Sequence, residues 1–90
     1  MSPIQCQGEP IEGETITLIC ETTLPPKQIQ WSPIVDRKRY DQQDLSLRIK
    51  KLNIEQDSKV FTINVDGQKQ SYELIIQLKN KRTKVMLQEK

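Results

Sequence analysis

The sequence predicts an all-β fold, a sandwich of about seven antiparallel strands formed by one domain over residues 1–90. Apolar side chains recur with a period of two in short runs. Glycine, proline and aspartate punctuate those runs. No segment sustains a helical period, and the chain has only three glycines.

Residues 3–7, Pro-Ile-Gln-Cys-Gln, read as a short edge strand, where Pro3 is tolerated. Residues 8–13 are a kinked connection. The next strand is the clearest. Ile16, Leu18 and Cys20 fall on one face, alternating with Thr15, Thr17, Ile19 and Glu21. Thr15, Ile16, Thr17 and Ile19 are β-branched, which suits a pleated, half-buried surface. Leu24-Pro25-Pro26-Lys27 cannot continue a ladder, because proline has no N–H. Ile29-Gln30-Trp31 restarts the alternation and Pro33 stops it. A cysteine on one strand and a tryptophan eleven residues later on the next can meet in a sandwich core.

This stretch resembles the immunoglobulin superfamily. Gly13-Glu14-x-Ile16-x-Leu18-x-Cys20 looks like its B strand, and Trp31 looks like its C-strand tryptophan. The resemblance implies an immunoglobulin-like two-sheet sandwich of the I-set or a related kind. This chain departs from it in having no second core cysteine downstream of Cys20.

Residues 34–44 are charged and polar and read as a solvated crossing between sheets with one short edge strand. Leu45, Leu47 and Ile49 alternate with Ser46, Arg48 and Lys50, giving a half-buried strand that ends or bulges near Lys50-Lys51. Residues 55–58 are a turn. Val60 to Val65 is a strand, Asp66-Gly67 a tight turn, and Ser71 to Leu78 a strand with Tyr72, Leu74 and Ile76 on one face. Residues 79–82 are a polar turn, and Thr83 to Gln88 a last strand.

Two registers compete in this second half. In one, Asp57-Ser-Lys-Val-Phe61-Thr-Ile63 imitates the family's Asp-x-Gly-x-Tyr-x-Cys corner and Asp66-Gly67 turns the last hairpin. In the other, Tyr72-Glu-Leu74 takes the Tyr-x-Cys position and the last hairpin turns at Asn80-Lys81. The second is preferred because it keeps a real tyrosine and uses the whole chain. The expected core is then Cys20, Trp31, Leu18, Tyr72 and Leu74.

Cys6 and Cys20 are the only cysteines. Folding the first strand back through residues 8–13 sets Cys6 near Thr15. That offset of about five residues from Cys20, at roughly 3.3 Å each, argues against a disulfide, with a kink in the edge strand that brings the two together as the alternative. Unbridged thiols and no Asn-x-Ser/Thr sequon fit a reducing, cytoplasmic compartment; an extracellular or cell-surface setting is the alternative. Intracellular muscle proteins of the titin family contain many such domains. The resemblance implies a structural or scaffolding role within a longer protein, with a receptor or adhesion domain as the alternative.

With no histidine, Ser-His and Cys-His catalysis is excluded. No glycine-rich phosphate loop and no metal-ligand spacing occur. The sequence therefore predicts no enzyme, no cofactor and no metal. No run reaches transmembrane length. The net charge of +2 is too small to imply nucleic acid. Two basic groups, Arg37, Lys38 and Arg39, and Lys81, Arg82 and Lys84, form the one candidate interaction patch, for a protein partner or weak polyanion contact. Their ordinary role is solubility and edge protection.

Overall fold

A computed structural model describes residues 2–79. The polar turn at 79–82 and the strand expected at 83–88 thus fall almost wholly outside the described residues. Seven strands build two antiparallel sheets: β1 Gln5–Gln7, β2 Ile16–Ile19, β3 Ile29–Ser32, β4 Tyr40–Gln43, β5 Ser46–Ile49, β6 Val60–Val65 and β7 Gln68–Glu73. One sheet has the order β1-β2-β5-β4 and the other β3-β6-β7. This is the strand order of a constant-type immunoglobulin-like sandwich, and the all-β expectation holds.

Alternation puts each sheet's apolar residues on its inner face. Ile16 and Leu18 of β2 pair with Ile49 and Leu47 of β5, and all four are buried. Facing them, Trp31 of β3 pairs with Ile63 of β6, flanked by Phe61 and Val65. Leu52, Leu74, Ile76 and Cys20 close the core. The ring of Tyr40 packs on Phe61 at 5.9 Å between centroids.

The preferred register of the second half is wrong. The last hairpin among the described residues turns at Asp66-Gly67, with Val65 opposite Gln68 and Phe61 opposite Tyr72. Both turn residues have positive φ, 51° and 92°, as a two-residue turn matched to strand twist requires. That local preference outweighed the pull of keeping a tyrosine at the corner. β7 begins at Gln68 and ends at Glu73, so the strand expected over 71–78 is split. Tyr72 sits half-buried on an edge strand, and only Leu74 and Ile76 beyond it are buried. Residues 55–58, expected as a plain turn, lie mostly in a single helical turn, α1 Ile54–Asp57.

At the N-terminus, Cys6 lies opposite Leu18 and not near Thr15. Gly8 absorbs the kink at φ 97°, its Cα so close to the next strand that a Cβ would sit 3.1 Å from the Thr15 carbonyl oxygen. The two cysteines are thus diagonal neighbours across β1 and β2, and both are free thiols. After Gly8 the chain runs to the segment that follows β7. Ile11 pairs in parallel with Gln77, the Gln77 N–H donating to the Pro10 carbonyl and the Glu12 N–H to the Gln77 carbonyl, both at 2.9 Å.

Candidate functional site

Two places in the sandwich concentrate polar groups. The first is a buried node under the corner between β5 and β6. Asn53 caps α1, its side-chain oxygen accepting from the amides of Glu55 and Gln56 at 2.9 and 3.0 Å. The turn aims Asp57 into the core, fully buried. Its carboxylate accepts from Arg39 Nη1 at 2.7 Å, Arg39 Nη2 at 3.1 Å, the Tyr40 hydroxyl at 2.6 Å and the Asn53 amide at 2.8 Å. Arg39 also donates to Asp36, Gln56 and the carbonyls of Lys50 and Lys51.

Burial alone drives the Asp57 pKa up. Hydrogen bonds from Arg39, Tyr40 and the Asn53 amide, with the charge of Arg39, outweigh it, and the carboxyl lies below its ordinary range. Tyr40 is held well above the usual phenol range, first by burial and then by its bond to the Asp57 carboxylate. Among the described residues, every buried side-chain nitrogen and oxygen is bonded. The Asp57 carboxylate is taken up by four hydrogen bonds from within the fold. The node holds the fold.

The second place is a cleft of about 580 Å³ between the edges of β3 and β4, lined by Ile29, Gln30, Ile34, Arg37, Tyr40 and Gln42. Trp31, the buried residue next to Gln30, donates its indole N–H to the Asp44 carbonyl at 3.2 Å. Its backbone N–H donates to Gln42 Oε1 at 3.3 Å.

The sequence-predicted residues divide accordingly. Leu18, Cys20, Trp31 and Leu74 are buried in the core, whereas Tyr72 is not. Arg37 and Lys38 are exposed, but Arg39 is committed to Asp57 and cannot belong to a surface patch. Lys81, Arg82 and Lys84 lie outside the described residues. Asp57 and Tyr40 were missed as site residues. The signal for Asp57 was the Asp-x-x-x-Phe-x-Ile spacing of the register not preferred, and the sequence carried none for Tyr40.

Among the described residues no three His, Cys, Asp or Glu side chains are grouped to hold a metal ion, and no helix is long and apolar enough to cross a membrane. Burial raises the pKa of both thiols, so they are protonated near neutral pH and poor nucleophiles. Compared with protein-family models and with curated proteins, the chain has no match.

Proposed function

We propose that this chain is an immunoglobulin-superfamily module with a structural or scaffolding role and no catalysis, mediating protein–protein contact within a longer protein of the titin-like muscle or cytoskeletal kind. The observation that carries the reading is the parallel clamp of residues 10–12 on Gln77. It joins the segment after β1 to the segment after β7 by backbone bonds that run across between two parallel chains. Tension applied at the two ends loads first the short β1–β2 pairing and then these bonds, in shear and together, before the strands that follow. The buried node supports the same reading, because its charged groups are spent on packing. Two unreactive thiols fit a reducing compartment.

The test is stretching by single-molecule force with handles at both termini. The parent should unfold in one step. Glu12→Pro, which removes the donor to Gln77, should unfold at a clearly lower force while melting within a few degrees of the parent. A parent that yields at low force, unchanged by the substitution, overturns the tension-bearing role. In parallel, thiol counting should find two groups that react slowly until the chain is denatured.

A further inference from the structure

We infer that the open edge of β3 is a docking site for an extended acidic peptide strand. The inference rests on the reading of the chain as an interaction module and names where the partner would sit.

The backbone sets the argument. Among the described residues, β3 of the three-stranded sheet has β6 on one side and no strand on the other. The Asp66 N–H donates to the Gln28 carbonyl, which marks Gln28 and Asp66 as a hydrogen-bonded pair. Antiparallel pairs alternate, so Gln30–Asn64 and Ser32–Thr62 exchange bonds, while Ile29–Val65 and Trp31–Ile63 do not. The N–H and C=O groups of Ile29 and Trp31 therefore point out of the sheet at its free edge. The bond from Trp31 N–H to Gln42 Oε1 confirms that direction. A side-chain amide stands there where a strand's carbonyl would.

An incoming antiparallel strand exchanges both bonds with Ile29 and displaces Gln42 from Trp31. Its residue opposite Ile29 then projects into the cleft between Ile34 and Tyr40, which favours an apolar side chain at alternate positions. Charge selects among such peptides. Arg37 lines the same cleft, is exposed, and has no ion-pair partner among the described residues; Lys38 adjoins it. Of the acids nearby in sequence, Asp36 is engaged by Arg39, and Asp41 accepts from Gln43 Nε2 at 3.2 Å. Carboxylates on the peptide would meet both cations.

The experiment is a selection from a degenerate library of capped hexapeptides against the full chain, with the enriched peptides titrated against ¹⁵N-labelled protein. Enriched peptides should alternate apolar residues, carry Asp or Glu, and shift the Ile29 and Trp31 amides. Methylating one ladder-forming amide of the peptide should weaken binding about five- to tenfold. Arg37→Glu should weaken acidic peptides about tenfold and leave the melting temperature unchanged. No enrichment, no charge preference, or indifference to amide methylation overturns the proposal. Binding that shifts amides elsewhere overturns it too, but leaves the interaction-module reading standing.

Discussion

The corner around Asp57 and the edge of β3 lie at two ends of the same Tyr40-lined region, yet they treat polar groups in opposite ways. At the corner, one carboxylate takes four donors and one guanidinium joins three segments of chain, at Asp36, at Lys50 and Lys51, and at Gln56 and Asp57. At the edge, backbone groups are left to water or to a single side-chain amide. The corner is buried, and there an unmet polar group costs its full desolvation. The edge is wet, so its open groups cost little until something better arrives. Stability and recognition are thereby separated, and substitutions at the two sites should have effects of different size.

Asp57→Ala is the largest expected break. It leaves the buried Tyr40 hydroxyl without its acceptor and takes from Arg39 its bidentate partner, and should cost about 3–5 kcal/mol, enough to unfold much of the population. Denaturant melts measure it. A loss under 1 kcal/mol would mean that the node is decoration on a core that needs only Trp31, Phe61 and the aliphatics. Trp31→Ala, a cavity in that core, should cost a similar 3–5 kcal/mol; a variant melting like the parent would remove Trp31 from the centre of the fold. Tyr40→Phe deletes one charge-assisted bond and keeps the tilted ring contact with Phe61. It should cost about 1.5–3 kcal/mol.

Acid probes the node without substitution. The folded-state pKa of Asp57 lies below its ordinary 3.8. Its contribution is therefore fully present above the unfolded value, and is lost as pH falls through the lower folded value. Stability should hold down to about pH 4 and fall steeply below it. Asp57→Asn should flatten that fall, while keeping the shape of the side chain. An unchanged acid limb would place the titrating group elsewhere.

Much of the sandwich was legible because strand alternation is a local signal. Ile16 to Cys20, Trp31 and Leu45 to Ile49 each announced their inner face. The register after residue 55 was not, for a physical reason. Tyr72 and Phe61 both fit an inward position, and the two readings differ only in which turn closes the hairpin. Asp66-Gly67 carried the decisive information, since positive φ at both positions admits few other residues. The node was illegible for another reason. Arg39 reads as one of three consecutive basic residues, and nothing in the run says which will be buried. Only the helical turn at 54–57, capped by Asn53, brings Asp57 within reach of it.

The smallest effect belongs to the edge, and it sharpens the contrast most directly. Gln42→Ala removes the side chain that accepts from Trp31 N–H, at a site open to solvent. Stability should change by no more than about 0.5 kcal/mol. Hydrogen exchange should nonetheless respond locally. In the parent, the amides of Gln30 and Ser32, bonded into the ladder with β6, should exchange slowly, and Ile29, facing outward, quickly. Trp31 should be intermediate in the parent and join Ile29 in Gln42→Ala. If Ile29 is instead as protected as Gln30, something already covers the edge, and β3 is no place for a partner strand.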